Sequence, residues 1–167
     1  METLKLDLCL LVMLILRCQG SHFRGGTISW KPIGKQNKVE FKFKMAWSYG
    51  SGPGCTENKI GHYVNNSFVG DKLWKYVYGI SKPDVDTLQN QTIGSVYYYC
   101  TDANKEGNWE QGENTFVYTF PGNGPFLISY TGAMWMRLSV QYSDYNGRWN
   151  LQTVVNLEER SDTGLPN

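Results

Sequence analysis

The fold class of this chain follows from one stretch, Val39-Glu40-Phe41-Lys42-Phe43-Lys44-Met45-Ala46-Trp47. Apolar side chains occupy every second position of this stretch, and charged or small side chains lie between them. Successive side chains of a β-strand point to opposite faces, so this alternation predicts a strand with one buried and one solvated face.

The same period of two recurs along the rest of the chain. Further alternating or short apolar runs lie at residues 27–30, 74–80, 96–100, 116–120, 126–130, 136–142 and 149–157. Glycine and proline separate them at residues 50–54 and 121–125, and the adjacent Gly25 and Gly26 are expected to let the chain turn into its first strand. The pattern predicts an all-β fold, an antiparallel β-sandwich or jelly-roll-like barrel of eight or nine strands.

The N-terminal segment predicts where the protein works. The apolar run at residues 8–16 is too short to cross a bilayer, and small residues follow it at a position suited to signal peptidase. We expect a signal peptide at 1–20, a β-sandwich module at 21–157 and a polar tail or linker at 158–167. The product is then secreted and has no membrane span in its mature part.

The formal net charge of +1 argues against a nucleic-acid partner, because such partners are bound by basic patches that this chain lacks. An extracellular protein or a glycan is the expected partner. The composition places no limit on oligomeric state.

Cysteine use agrees with secretion. Removal of the signal peptide leaves only Cys55 and Cys100, and in an oxidising compartment such a pair is expected to form a disulfide. The disulfide would close a loop of about 46 residues and contribute on the order of 4 kcal/mol through lost loop entropy. Two sequons, at Asn65 and Asn90, are expected sites of N-glycosylation.

A short opening motif carries a family resemblance. The segment Ser21-His22-Phe23-Arg24-Gly25-Gly26-Thr27-Ile28-Ser29-Trp30, with the later Tyr99-Cys100-Thr101-Asp102 and Asn108-Trp109, resembles an N-terminal β-module. That module belongs to large secreted or cell-surface multidomain proteins of invertebrates. The resemblance implies an extracellular module beside adhesion-type or protein-binding domains, and it implies no catalytic activity.

One acidic segment has the spacing of a calcium loop. Oxygen-bearing side chains fall at positions 1, 3, 5 and 12 around a glycine at position 6, and they belong to Asp102, Asn104, Glu106 and Glu113. This spacing can wind a chain around Ca²⁺. The alternative is a polar hairpin loop, which the strand-like flanks favour.

Aromatic residues form a second candidate site. Four of them stand in polar loops or out of phase with their strands, and we expect them to bind a ligand: Tyr98, Trp109, Trp135 and Tyr145. The alternative is that their rings pack in the core beneath the longer loops.

Catalytic constellations are scarce. No nucleophile elbow is present, and the chain has only two histidines, His22 and His62. Signal cleavage after Ser21 would make His22 N-terminal and allow copper binding with His62, although Gln19 suits that cleavage poorly.

The sequence therefore predicts an extracellular protein-interaction or adhesion module that acts by binding. A carbohydrate-binding, lectin-like module, assisted by calcium, is the alternative. A secreted copper enzyme is a minor alternative.

Overall fold

The computed structural model describes residues 23–34, 36–66, 73–78, 92–132 and 148–159. The predicted signal peptide, the predicted strand at 136–142 and most of the predicted tail lie outside these residues. Within them, no helix is long and apolar enough to span a bilayer.

The described residues form nine β-strands and one short 3-10 turn at Glu57–Lys59. The strands are β1 (Phe23–Pro32), β2 (Lys38–Ser48), β3 (Tyr63–Val64), β4 (Leu73–Tyr78), β5 (Thr92–Ser95), β6 (Tyr98–Asn104), β7 (Trp109–Thr119), β8 (Phe126–Gly132) and β9 (Trp149–Val155).

The strands make two antiparallel sheets. The five-stranded sheet has the order β1-β2-β7-β6-β3, and the four-stranded sheet has the order β5-β4-β8-β9. The predicted antiparallel sandwich is confirmed, and its described strands do not close into a barrel.

The stretch that predicted the fold lies at the centre of the larger sheet. Strand β2 pairs with β7 over its whole length, from Lys38 opposite Thr119 to Ser48 opposite Trp109. Its apolar side chains are buried, with Phe41 and Trp47 both at 0% exposure, while Lys42 and Lys44 are exposed. The period of two therefore separates a dry inner face from a wet outer face.

Aromatic rings fill the space between the two sheets. Phe43 of the larger sheet contacts Trp74 of the smaller one with ring centroids 5.6 Å apart, and Trp47 contacts Tyr130 at 6.4 Å. Each fully buried large apolar side chain contributes about 1.5–3 kcal/mol relative to an exposed one. These contacts hold the sheets face to face.

One edge of the sandwich is closed by contacts between β1 and β9. Phe23 stacks on Trp149 with centroids 4.0 Å apart, and the Nε1 of Trp30 donates a hydrogen bond of 2.9 Å to the carbonyl oxygen of Val154. The outer strands of the two sheets are thereby joined.

The adjacent glycines lie inside the first strand, so the expectation that they turn the chain into it was wrong. Strand β1 begins at Phe23, and its pairing with β2 shifts between Phe23 and Gly25 as in a β-bulge. Gly25 has a φ of 149°. A Cβ on Gly26 would lie 2.7 Å from the carbonyl oxygen of Lys44, so the close approach of the two strands requires glycine there.

Candidate functional site

One row of side chains crosses the outer face of the five-stranded sheet. Its members are cross-strand partners on five successive strands, and we call them the outer row: Thr27, Lys44, Glu113, Tyr99 and Tyr63. Strands are spaced about 4.8 Å apart, so the row is about 19 Å long. It brings a hydroxyl, a cation, a carboxylate and two aromatic rings into one line.

The centre of the outer row is a carboxylate held by two ammonium groups. Glu113 contacts Lys44 at 3.1 Å and Lys42 at 3.4 Å. The hydrogen bond from Lys44, helped by the charge of Lys42, lowers the pKa of Glu113 from its ordinary value. The lysine side chains are 52% and 65% exposed and that of Glu113 is 32% exposed, so the cations stand out further into solvent.

One end of the outer row is aromatic. The rings of Tyr63 and Tyr99 meet edge to face with centroids 5.3 Å apart. Tyr63 is 45% exposed and Tyr99 is 52% exposed, and Ile60 beside them is 45% exposed. Exposed tyrosines present an apolar ring and a polar hydroxyl together, which suits both protein and sugar ligands.

Two depressions flank Glu113 on this face. One, of about 450 Å³, lies between Gly26, Lys44 and Gln111. The other, of about 460 Å³, lies between Lys42, Ile60 and Tyr99. Both volumes fall within the range of small-ligand sites.

The predicted ligand-binding aromatics are placed differently. Tyr98 is 0% exposed, so its predicted exposure on a binding face was wrong, whereas its neighbour Tyr99 is 52% exposed. Trp109 is half-buried at the start of β7. Trp135 and Tyr145 lie outside the described residues, so their role stays a prediction.

Tyr98 belongs instead to a buried polar cluster around Glu110, which is itself 0% exposed. The Tyr98 hydroxyl donates to Oε1 of Glu110 at 3.2 Å, and the backbone N–H groups of Gly50, Gly54 and Cys55 donate to the same carboxylate at 2.8, 3.1 and 3.3 Å. Burial, with the charge of Glu110, raises the pKa of Tyr98 well above its ordinary value. Glu110 therefore fastens the loop after β2 to the sheet.

The predicted calcium loop is the hairpin between β6 and β7. Asp102 and Asn104 lie in β6, Glu106 lies in the turn, and Glu113 lies further along β7 opposite Tyr99. The Asp102 and Asn104 carboxyl and amide oxygens accept hydrogen bonds from the backbone of Ala103 and Gly107. No three His, Cys, Asp or Glu of the described part of the chain come close enough together to hold a metal ion. Calcium binding stays a prediction.

The predicted disulfide is confirmed. Cys55 and Cys100 are bonded, and both are buried. Asn65 is exposed just after β3, while Asn90 lies outside the described residues, so glycosylation stays a prediction at both. His62 is exposed and His22 lies outside the described residues, which leaves the copper site untested.

Comparison with known proteins locates the chain among integrin beta-like proteins. It is 27% identical over 168 residues to integrin beta-like protein A of Dictyostelium discoideum and 26% identical over 165 residues to integrin beta-like protein C of the same organism. Each alignment covers 95% of this chain and 8% of the relative. No solved structure matches.

The predicted resemblance to an N-terminal β-module is confirmed in its general form, whereas the expectation that the related proteins are multidomain proteins of invertebrates is not confirmed. The family described as integrin beta-like protein A-E, N-terminal, matches residues 24–158, which include every strand described above apart from the first residue of β1. The chain therefore belongs to the N-terminal domain family of the integrin beta-like proteins A–E.

Proposed function

We propose that this chain is an extracellular adhesion-type module that binds its ligand through the outer row. The observation that carries the proposal is the continuous row from Thr27 to Tyr63, with two exposed tyrosines at one end. Membership of an integrin beta-like family supports an adhesion role, and the buried disulfide agrees with an oxidising compartment.

The exposed apolar side chains favour this face. Five large hydrophobic residues of the described part of the chain are exposed, and three of them lie at the aromatic end of the outer row: its members Tyr63 and Tyr99, and Ile60, which lines a depression with Tyr99. Of the other two, Val117 lies further along β7 in the same sheet, and Val154 lies on β9 of the four-stranded sheet. Clustered tyrosines are typical anchors of binding interfaces, whereas single exposed valines need no explanation.

Secretion and glycosylation complete the proposal. The segment at 1–20 acts as a signal peptide, and Asn65, exposed two residues after Tyr63, carries a glycan at the border of the aromatic end. The opposite part of the outer row, Thr27 on β1 and Lys44 on β2, is separated from this glycan by strands β6 and β7.

The first test is an adhesion assay with beads coated with the secreted chain. Beads settle on live Dictyostelium discoideum cells and on a lawn of bacteria, and the fraction that resists shear flow is counted. We expect attachment to at least one surface, and a fall of about tenfold for the double variant Tyr63→Ser and Tyr99→Ser.

Val154→Ser is the matched control, because it removes an exposed apolar side chain from the other sheet. It should leave attachment unchanged. Attachment no greater than that of uncoated beads, or equal attachment by the tyrosine variant, would refute the proposal.

A further inference from the structure

The charges at the centre of the outer row, counted with the adjoining Lys42, are unbalanced. Lys42 and Lys44 share the single carboxylate of Glu113, which leaves one net positive charge at the centre of the face. Further along the same sheet face, Lys31 of β1 is paired with Glu40 of β2 at 2.8 Å, so that pair is balanced. The positive excess around Glu113 favours a ligand that carries a negative group.

The groups around this charge are suited to a hydroxyl-rich ligand. Thr27 and Thr115 are exposed beside the two lysines, and a threonine hydroxyl both donates and accepts hydrogen bonds. Tyr99 is the cross-strand partner of Glu113, and its ring is half exposed. A sugar can place its C–H face on such a ring while its hydroxyls bond to the neighbouring side chains.

The backbone of this face is closed to a peptide strand. Strand β2 is paired with β1 and β7, and β7 is paired with β2 and β6. Their N–H and C=O groups are therefore used within the sheet, and an extended peptide cannot add to it at the lysines. Any ligand there must be held by side chains.

From these observations we propose that the outer row binds an acidic saccharide, with a sugar carboxylate at Lys42 and Lys44 and the sugar ring against Tyr99. This inference rests on the proposed binding role of the same face. The two depressions that flank Glu113 provide room for sugar rings on either side of the sugar carboxylate.

The test is a calorimetric titration of the full secreted chain with oligogalacturonate, with its methyl ester, and with poly-glutamate of equal charge. The ester keeps the sugar and removes the charge, and the peptide keeps the charge and removes the sugar. We expect oligogalacturonate to bind about tenfold more tightly than either of the others, and to weaken as salt is raised.

Three variants assign the binding to its residues. Lys42→Gln with Lys44→Gln, and separately Tyr99→Ala, should each weaken oligogalacturonate binding by about tenfold. Lys31→Gln removes an exposed cation from the same sheet face outside the outer row and should change the affinity by less than about twofold. Unchanged thermal unfolding of each variant establishes that the fold is intact.

Three outcomes would overturn the proposal of an acidic saccharide ligand. They are poly-glutamate binding as tight as that of oligogalacturonate, oligogalacturonate binding that is unchanged in Tyr99→Ala, and no binding of oligogalacturonate. Bead attachment separates the two proposals. Attachment that depends on the tyrosines but does not respond to oligogalacturonate leaves the adhesion role standing and refutes the ligand class. If the beads do not attach and oligogalacturonate does not bind, both the adhesion role and the acidic saccharide ligand are refuted.

Discussion

Strands β6 and β7 carry two tyrosine–glutamate pairs with opposite environments. Tyr98 and Glu110 face the core and are both 0% exposed, and they are joined by a hydrogen bond of 3.2 Å. Tyr99 and Glu113 are cross-strand partners on the outer face, where the tyrosine is 52% exposed and the glutamate binds two lysines. The two tyrosines are adjacent in sequence and the two glutamates are three positions apart, yet the two pairs have different environments.

The two carboxylates differ in their solvation. Glu110 has lost its water and accepts hydrogen bonds from three backbone N–H groups and one hydroxyl, so every partner depends on it. Glu113 keeps contact with solvent, which weakens its ion pairs and leaves its surroundings accessible to a ligand. The inner pair stabilises the fold, and the outer pair is available for binding.

The largest effect is expected from Glu110→Gln. The amide group that replaces one carboxylate oxygen faces N–H donors, and the charge that they stabilise is lost. We expect the free energy of unfolding to fall by about 4 kcal/mol, measured by denaturant titration.

The matched change on the outer face is Glu113→Gln, which should lower the free energy of unfolding by about 0.5 kcal/mol. Equal losses for the two variants would contradict the division into a structural and an accessible pair.

A smaller effect is expected from removal of one hydroxyl group. Tyr98→Phe deletes the hydrogen bond to Glu110 and should lower the free energy of unfolding by about 2 kcal/mol, because the acceptor is a charged group in the core. Tyr99→Phe should stay within about 0.5 kcal/mol of the wild type. Thermal and denaturant unfolding measure the stability of both variants. A larger loss of unfolding free energy for Tyr99→Phe than for Tyr98→Phe would contradict the assignment of the inner pair to stability.

The smallest effect concerns the pH dependence of the outer pair. Because Lys44 and Lys42 lower the pKa of Glu113 in the folded state, its stabilising contribution is present at neutral pH and is lost as the pH falls through that lowered pKa. The difference in unfolding free energy between wild type and Glu113→Gln, about 0.5 kcal/mol at pH 7, should therefore vanish by about pH 2.

The control for this titration is Glu106→Gln, which neutralises an exposed carboxylate in the hairpin turn. It should change the free energy of unfolding at pH 7 by less than about 0.5 kcal/mol. A difference for Glu113→Gln that grows on acidification would show that the lysines do not stabilise the ionised form.

The sandwich and the disulfide were predictable because their signals are local or simple. The alternation from Val39 to Trp47 repeats often enough to identify the buried face of β2, and two remaining cysteines in a secreted chain leave one pairing. The structure confirms both. These features depend on the period of the apolar side chains and on the number of cysteines, and both can be read directly from the sequence.

The candidate site was harder to predict because its signals are not local. Three consecutive tyrosines, Tyr97 to Tyr99, carry no alternation that separates an inner from an outer ring, and the register of β6 shifts between Cys100 and Asp102. Glu110 stands in a polar stretch that was expected to be a loop, and its inward direction depends on backbone donors more than fifty residues away in sequence. The outer row exists only through the pairing of five strands.

The position of the disulfide has a consequence for the order in which the chain folds. The central strands pair residues that are far apart in sequence, since Ser48 lies opposite Trp109. Before oxidation, all the residues between them form the loop that must close. Once Cys55 and Cys100 are joined, the shortest path between the same two residues has only about sixteen residues, and closure costs less entropy. Folding of domains with such distant contacts is slow, so an oxidised chain pairs β2 with β7 sooner than a reduced one, and exposes its unpaired central strands for a shorter time.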